Sequence, residues 1–576
     1  MKSLLVANRG EIAVRVIRTA KEMGLRTIAI YSELDRDALH VSLADESWNV
    51  GGAPAAESYL NQARILQVAK ESGAEALHPG YGFLSENPNF ARAVADAGII
   101  WVGPPASAIE AMGDKITSRR NAEQNGVPTV PGITDPVTTV DEVAELANRF
   151  GYPLAIKAAH GGGGKGLRVV REAGEVSEAF EGARREADAY FGNPEVYVEK
   201  YLERPRHVEA QVLFDLHGHG LFLGERDCSV QRRHQKLIEE TPAPGFTVRQ
   251  RRALGRAALA AAKSCGYVNA GTVEFLLDQK GDFYFLEMNT RLQVEHTVTE
   301  MVTGLDLVEW QLRIAAGEAL TIEEPEPRGH SIEFRINAED PYRGYLPTPG
   351  QVVEWVEPAG PGIRVDSWVA PGTVISQYYD NLMAKLVVWG ATREAAISRG
   401  RRALEEFRVR GVATTIPAHL AVLDHVDFID GIHHTRWMED AVDLGGSSPA
   451  SAPAIPEAEE MTKRDVTVEI SGRRFQVSYW APEPVVGGQP RRRPPKLGAT
   501  GLPSASDGVI TAPMQGTIVK VHVNAGQTVK SGEPICVLEA MKMENEVTSP
   551  GPGEVVDLRV EPGDTVAAGQ VIAIVK

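Results

Sequence analysis

The first hundred residues show short apolar runs that alternate with amphipathic stretches. Residues 3–7 and 27–31 are apolar over the length of a strand, and residues 12–23 between them carry apolar positions at helical spacing. Further strand-like runs at 76–78 and 99–102 alternate with helical stretches. This order predicts a doubly wound α/β domain that ends near residue 113. The glycine turn before the first helix lacks a full Gly-x-Gly-x-x-Gly motif, so it does not indicate a dinucleotide site.

Farther along, two alternating runs predict a β-hairpin with acidic residues on one face. Residues 272–277 and 283–289 read as strands joined by a short turn. Folding them back on each other brings Glu274 and Glu287 close together. With the amide oxygen of Asn289, they form the hard oxygen set that Mg²⁺ prefers. The alternative is a pair of solvated edge carboxylates. Polar residues continue at alternate positions through Arg291, Gln293 and Glu295, which makes a merely solvated face a poor explanation.

A glycine-rich loop at residues 160–166 separates two predicted strands at 154–157 and 167–170. Bare backbone N–H groups on such a loop can close around phosphates, because no side chain blocks the approach. Taken alone, the run is as well explained by a mobile turn. It is not a Walker A motif, because Gly166 follows Lys165 where Ser or Thr is required.

The C-terminal region contains one sequence twice. Pro513 and Pro550, Gly516 and Gly553, and further glycine, valine and threonine pairs are all 37 residues apart. Each copy alternates apolar and polar residues over short runs, which predicts two halves of a flattened β-sandwich. Lys542 falls in the connector between the copies, so we expect the module to display it. An ordinary surface lysine is the alternative.

The region between these modules changes composition twice. Residues 330–445 predict strands and one long helix near 392–407, and residues 446–508 predict a linker. Within the linker, 466–479 form a candidate hairpin, and 481–508 are rich in Pro, Gly and Arg. As a flexible coil, this last stretch would span roughly 30 Å on average and at most roughly 100 Å.

Composition limits the classes of function. The chain has 576 residues, enough for three to five domains, and its net charge of −17 argues against nucleic-acid and anionic-membrane partners. The three cysteines have neither metal-ligand spacing nor the number that a disulfide framework needs. No apolar run is long enough for a signal peptide or a membrane span. We therefore expect a cytoplasmic protein.

Several long motifs carry a resemblance to ATP-grasp enzymes and, among them, to biotin carboxylases. The resemblance covers residues 1 to about 445 and rests on these segments: Met112–Lys115, Lys157 with the glycine loop, Glu199–Leu202, Arg206–Glu209, Glu225–Lys236, Glu287–His296 and Arg335–Asp340. The C-terminal module is similar to the biotinyl domains of biotin-dependent carboxylases, with Ala540–Met543 as the signature and Pro513-Met514 upstream. Lipoyl domains share that fold but usually carry Asp-Lys-Ala around the lysine.

The resemblance implies a multidomain α/β and α+β chain. It comprises a Rossmann-like pre-ATP-grasp domain (1–113), an ATP-grasp domain (114–330, lid about 130–203), a mixed biotin carboxylase C-terminal domain (331–445), a flexible linker with a short hairpin (446–508), and an all-β biotinyl domain of the barrel-sandwich type (509–576).

The resemblance also implies roles for individual residues. Those expected around ATP are Lys115, Lys157, Gly163 and Gly164 at the phosphates, and Glu199, Lys200, Leu202, His207, Gln231 and His234 toward the adenine. Those expected to hold Mg²⁺, with Mn²⁺ as a substitute, are Glu274, Glu287 and Asn289. Those expected at bicarbonate are Lys236, Arg291, Gln293, the Val294 backbone and, as the base, Glu295, whereas Arg335 would stabilise charge on the ureido oxygen of biotin.

The implied function is the α subunit of an acetyl- or propionyl-CoA carboxylase, of a type similar to actinobacterial ones. Biotin would be attached to Lys542 by a biotin protein ligase. No segment after residue 445 is long enough for a carboxyltransferase, so a separate β subunit is expected in a hetero-oligomer. The 466–479 hairpin is a docking element for that subunit or a spacer. Two other hypotheses remain: another ATP-grasp ligase fused to a lipoyl-like domain, and a non-catalytic carrier scaffold.

Overall fold

A computed structural model describes most of the chain. The described residues are 1–133, 135–158, 167–191, 193–444, 461–470, 473–482, 508–513, 516–540, 543–566 and 569–576. The whole of the predicted glycine loop (160–166) and all but three residues of the predicted tether (481–508) therefore lie outside the described residues. In the described part, no helix is both long enough and apolar enough to cross a bilayer.

The N-terminal part is the predicted doubly wound domain. Its elements are β1 (Ser3–Val6), α1 (Gly10–Glu22), β2 (Arg26–Ser32), α2 (Leu39–Leu43), β3 (Glu46–Gly51), α3 (Gln62–Glu71), β4 (Ala76–His78), α4 (Pro88–Asp96), β5 (Ile100–Trp101) and α5 (Ala106–Gly113). The strands form a parallel sheet in the order β3-β2-β1-β4-β5. Buried apolar residues of β1 and α1 pack against the later helix that begins at Leu307, which joins this domain to the next.

The next part contains a small antiparallel sheet and the beginning of a large one. Its elements are α6 (Lys115–Gln124), α7 (Val140–Phe150), β6 (Leu154–Ala158), β7 (Leu167–Val170), α8 (Val176–Phe191), β8 (Val196–Lys200), β9 (Arg206–Phe214), β10 (Gly220–Arg232), β11 (Gln235–Thr241), α9 (Val248–Ser264), β12 (Asn269–Leu277), β13 (Phe283–Asn289), α10 (His296–Thr303) and α11 (Leu307–Ala315). The small sheet has the order β7-β6-β8.

The large sheet continues across the predicted domain boundary at residue 330. The elements that follow are β14 (His330–Asn337), β15 (Glu339–Asp340), β16 (Leu346–Pro347), β17 (Gly350–Gln351), β18 (Glu354–Val356), β19 (Ile363–Ser367), β20 (Val374–Ile375), β21 (Leu382–Gly390), α12 (Arg393–Glu406), β22 (Arg408–Arg410), α13 (Ile416–Asp424), α14 (Val426–Ile429) and α15 (Trp437–Ala441). Eight strands pair in the order β13-β12-β9-β10-β11-β14-β21-β19. This single sheet carries residues from both predicted domains side by side.

The C-terminal elements form a hairpin and a β-sandwich. They are β23 (Met461–Ile470), β24 (Arg473–Pro482), β25 (Val509–Thr511), β26 (Gly516–Val521), β27 (Thr528–Val529), β28 (Pro534–Ala540), β29 (Met543–Thr548), β30 (Gly553–Leu558), β31 (Thr565–Val566) and β32 (Val571–Val575). The hairpin is longer than its predicted core of 466–479. Two four-stranded sheets, β25-β32-β30-β27 and β29-β28-β26-β31, enclose one apolar core. Because each sheet mixes strands from both copies of the repeat, neither copy can form this core alone.

Candidate active site

The hairpin of β12 and β13 places two carboxylates opposite each other. In the antiparallel register Glu274 pairs directly with Glu287. Asn289 donates from its amide nitrogen to Glu274 Oε1 at 3.0 Å. Burial and the neighbouring charge of Glu274 raise the pKa of Glu287. A cation between the carboxylates would reverse that effect, so this set of two carboxylates and one amide fits Mg²⁺.

Lys236 lies at the centre of the charged cluster. Its Nζ is 2.7 Å from Glu209, 2.9 Å from Glu274 and 2.6 Å from Glu295. These carboxylates come from β9, β12 and the turn before α10, so one ammonium group holds three elements together. Burial opposes ionisation, but the three carboxylates outweigh it and keep the pKa of Lys236 well above its ordinary value. His207 also reaches Glu274, at 3.0 Å.

Glu295 is a fully buried carboxylate held ionised by cations. It lies at the N-cap of α10, between Lys236 and the guanidinium of Arg335, whose Nη2 is 3.0 Å from Oε2. Burial alone would raise the pKa of Glu295, but the charges of Lys236 and Arg335 outweigh burial and lower this pKa well below its ordinary value. Arg335 in turn donates from Nε to Glu239 at 2.6 Å. An ionised carboxylate in this position can act as a proton acceptor.

The turn from Asn289 to Glu295 carries the remaining anion-site candidates. Arg291 donates to Glu86 at 2.9 Å and to the side-chain oxygen of Asn289 at 3.1 Å. Gln293 donates to Glu274 Oε1 at 3.2 Å. The carbonyl of Val294 accepts a hydrogen bond from the buried Lys385 at 3.1 Å. The structure thus brings all the residues predicted at bicarbonate to one end of the large sheet.

The nucleotide candidates are spread over the small sheet, the start of α6 and the strands β9 and β10 of the large sheet. Lys157 of β6 forms an ion pair with Glu199 of β8, and Arg119 donates to the other oxygen of Glu199 at 3.0 Å. Lys115, at the start of α6, is 4.0 Å from Glu287. This ion pair places an exposed lysine next to the proposed metal ligands. Gly163 and Gly164 lie outside the described residues.

The other nucleotide candidates lie between β8 and β11. Lys200 donates to the carbonyls of Gly151 and Tyr152, at 3.1 and 2.8 Å. Leu202 follows β8 and is half-buried. Gln231 is buried on β10 and donates to the Cys228 carbonyl, whereas His234 is exposed in the β10–β11 turn with a φ of 66°.

Three buried residues of the cluster were not assigned roles from the sequence. Glu209 and Glu239 each pair with a predicted site cation, and Arg226 joins Glu209 at 2.5 Å, with all three essentially inaccessible to solvent. A signal exists for Glu209: His207, Glu209 and Gln211 alternate along an otherwise apolar β9 and therefore share a face. Glu239 carries no such signal, because two glutamates are adjacent in β11.

On the carrier module, the strands flanking the predicted attachment site are paired to their ends. Ala540 of β28 pairs with Met543 of β29. Met541 and Lys542, the residues between them in sequence, lie outside the described residues.

Comparison with protein-family models matches nearly the whole chain. Residues 1–109 match the N-terminal domain of biotin carboxylase, and residues 333–440 match its C-terminal domain. Residues 114–323 match the ATP-binding domain of the carbamoyl-phosphate synthase L chain. Residues 508–575 match the domain of biotin-requiring enzymes.

Two relatives match this chain over almost its whole length. The biotin-dependent acyl-coenzyme A carboxylase alpha3 subunit of Mycobacterium leprae is 50% identical, over 94% of this chain and 93% of that protein. The chain belongs to the family of biotin-dependent acyl-CoA carboxylase α subunits. Another member of this family, the propionyl-CoA carboxylase alpha chain of Ruegeria pomeroyi, is 41% identical over 94% of this chain and 95% of its own length.

Solved structures of biotin carboxylases share the first three quarters of the fold. The biotin carboxylase domain of a thermophilic 2-oxoglutarate carboxylase, solved with bicarbonate, is 48% identical, covers 76% of this chain and 98% of its own, and has a TM-score of 0.74. The Campylobacter jejuni biotin carboxylase, solved with a β,γ-ATP ligand, is 45% identical over 76% of this chain and 98% of its own, with a TM-score of 0.72.

Proposed function

We propose that this chain uses ATP and bicarbonate to carboxylate biotin attached to its own Lys542. The observation that carries the proposal is the combination, on one polypeptide, of the buried cluster around Lys236 and Glu295 with a repeat-built carrier module. In this family the carboxyl group then passes to an acyl-CoA through a carboxyltransferase. We propose a separate β subunit for that step, with acetyl- or propionyl-CoA as substrate.

The first chemical step, attack of bicarbonate on ATP, needs a base to remove a proton and cations to stabilise the phosphate charge. Bicarbonate is a weak nucleophile, and removal of its proton by the ionised Glu295 sharpens its attack on the γ-phosphorus of ATP. The products are carboxyphosphate and ADP. Lys115 and Lys157 neutralise phosphate charge, as phosphoryl transfer requires, and Gly163 and Gly164 close over the phosphates. Mg²⁺ bound by Glu274, Glu287 and Asn289 would supply further electrostatic stabilisation when present.

Bicarbonate is bound by charged and polar groups of the 289–295 turn and of the large sheet. Lys236, Arg291 and Gln293, with the Val294 backbone, offer donors that converge beside Glu295. When the carrier is loaded, biotin would supply a ureido nitrogen that, on losing its proton, takes up the CO₂ unit of carboxyphosphate, with inorganic phosphate as the leaving group. Arg335, 3.0 Å from Glu295, is positioned to stabilise negative charge on the ureido oxygen.

In sequence, the hairpin β23–β24 lies between the region that matches biotin carboxylase and the carrier module. Its strands pair over their full length, from Met461 with Pro482 to Ile470 with Arg473. An isolated two-stranded hairpin is at best marginally stable in water, which favours a partner over a bare spacer. Docking of the β subunit on this hairpin, attachment of biotin by a biotin protein ligase and a cytoplasmic location remain predictions.

Two variants test the proposal together. Lys542→Arg should abolish labelling of the chain by [¹⁴C]bicarbonate and MgATP, yet retain ATP-driven carboxylation of free biotin. Glu295→Gln should lose about 10²-fold or more of both activities, the usual contribution of a general base, while mass spectrometry still finds biotin on Lys542. Lipoylation of Lys542 would favour the lipoyl-carrier alternative, and an unmodified Lys542 would equally contradict attachment of biotin. Absence of bicarbonate-dependent ATP turnover in the wild type would favour the non-catalytic scaffold.

A further inference from the structure

A lysine is buried in the middle of an apolar strand next to the site. Lys385 of β21 has no solvent exposure, and neither have its neighbours Ala384 and Leu386. In the strand register Lys385 lies opposite Arg335 on one side and Asp366 on the other. Burying an ammonium group costs several kcal/mol of desolvation free energy unless polar partners compensate the charge. The contacts of Lys385 therefore show which groups it stabilises.

Two of the contacts of Lys385 are carboxylates remote from the reacting groups. Its Nζ is 3.1 Å from Glu11 Oε2 on α1 and 3.9 Å from Asp366 Oδ2 on β19. Asp366 is already engaged by both guanidinium arms of Arg364, at 2.8 and 2.7 Å. Glu11 accepts a hydrogen bond from Tyr81. These carboxylates compensate the charge of Lys385 and come from two different domains of the chain.

The third contact reaches the bicarbonate turn. Lys385 donates to the carbonyl of Val294 at 3.1 Å. That carbonyl belongs to the peptide unit joining Val294 to Glu295, so its direction fixes the plane from which the Glu295 side chain departs. On the other side of the turn, the Gln293 carbonyl is held by the His296 ring at 2.8 Å. The turn is thus clamped at two successive carbonyls.

We propose that Lys385 is a positioning residue for the bicarbonate site, which acts by fixing the Val294–Glu295 peptide rather than by touching substrate. This inference rests on the proposed function, because it assigns Lys385 to the bicarbonate step of that reaction. Loss of the contact should loosen the Val294 backbone and the direction of Glu295. The nucleotide residues Lys115 and Lys157 lie on other elements and should be unaffected.

The test replaces Lys385 by an apolar residue of similar length. In Lys385→Met we expect the KM for bicarbonate to rise about tenfold or more, as for loss of a charge-assisted hydrogen bond, with the KM for ATP within about twofold. The matched control is Glu11→Gln, which alters the same ion pair but leaves the Val294 contact. Its KM for bicarbonate should stay within about twofold of the wild type.

A double variant separates positioning from the burial of charge. Lys385→Met with Glu11→Gln removes both members of the buried pair, so it should fold even where Lys385→Met does not. We expect it to keep the raised KM for bicarbonate. Restoration of the wild-type value, or equal rises in both KM values, would overturn the inference. Glu295→Gln assayed in parallel distinguishes the two proposals: if it is fully active, the base assignment itself fails, whatever Lys385 does.

Discussion

At the scale of single residues, each buried charge around Lys236 is stabilised by neighbours of opposite charge. Lys236 meets three carboxylates within 2.9 Å, and removal of one member of such a buried set leaves the others without a counter-charge. The sequence predicted Lys236, Glu295 and Arg335 because they lie in long recognisable motifs. It did not predict Glu239, whose role depends on a pairing between β11 and β14 that local sequence does not encode.

Lys236→Met should weaken anion binding and make Glu295 lose its charge at a higher pH than in the wild type. Lys236 holds the pKa of Glu295 low, so its loss raises that pKa. The base must be ionised to act, so activity should now fall as the pH drops through a range in which the wild type is constant. The measurement is the pH profile of bicarbonate-dependent ATP cleavage, with Lys236→Arg as the variant that retains charge. An unshifted acid limb in Lys236→Met would contradict this account of the Glu295 environment.

At the scale of elements, register determines which residues meet. The hairpin of β12 and β13 could be predicted because its turn is short, and the opposition of Glu274 and Glu287 follows from that turn. The continuation of the large sheet from β11 to β14 could not, because the two strands are separated by almost ninety residues that include three helices and two strands. Alternating patterns identify strands but not their distant partners.

The join between β11, β14 and α12 should depend on the buried Glu240. His330 approaches it at 2.7 Å and Arg393 at 2.7 Å. Burial alone would raise the pKa of Glu240, but these two partners outweigh it and lower the pKa to about 2. A carboxyl pKa that is lower in the folded state than its ordinary value of 4.5 stabilises the fold at pH values above 4.5. This contribution is lost as the pH falls toward 2.

Arg393→Met should therefore destabilise the protein by about 3 kcal/mol at pH 7, within the range for breaking a buried ion pair. The difference from the wild type should shrink as the pH falls below 4.5. Urea unfolding at several pH values measures this. Arg402→Met, which breaks an exposed pair with Glu406, is the control and should cost at most about 1 kcal/mol. A pH-independent loss in Arg393→Met would rule out the proposed linkage.

In the carrier sandwich, glycine permits close approach of strands. A Cβ on Gly516 would lie 2.5 Å from the backbone oxygen of Glu539, whereas one on Gly551 would meet nothing within 4 Å. Gly516→Ala should destabilise the module by about 1–3 kcal/mol through overpacking, and Gly551→Ala should not. Biotin content by mass spectrometry and thermal unfolding check this. Normal biotin content and stability in Gly516→Ala would mean that β26 and β28 separate easily.

At the scale of the whole molecule, the site and the carrier are distinct folded units on one chain. The apolar cores that surround the site are built from residues before 445, and the carrier has its own core from both copies of the repeat. Both units could be predicted, because repeats and long motifs are local properties of sequence. The predicted tether between them is residues 481–508, whose composition predicts a flexible coil.

Tether length should therefore control loading of Lys542 without affecting the chemistry at Glu295. Deletion of about 20 residues from 483–507 reduces the maximal reach of the predicted 481–508 tether from roughly 100 Å to roughly 30 Å, so [¹⁴C]bicarbonate labelling of the carrier should slow strongly. Carboxylation of free biotin, which needs no tether, should be unchanged. A Gly/Ser segment of the original length is the matched control and should restore labelling, because only its reach matters. If that control is as slow as the deletion, the segment is recognised by its sequence, and the carrier is guided to the site rather than merely allowed to reach it.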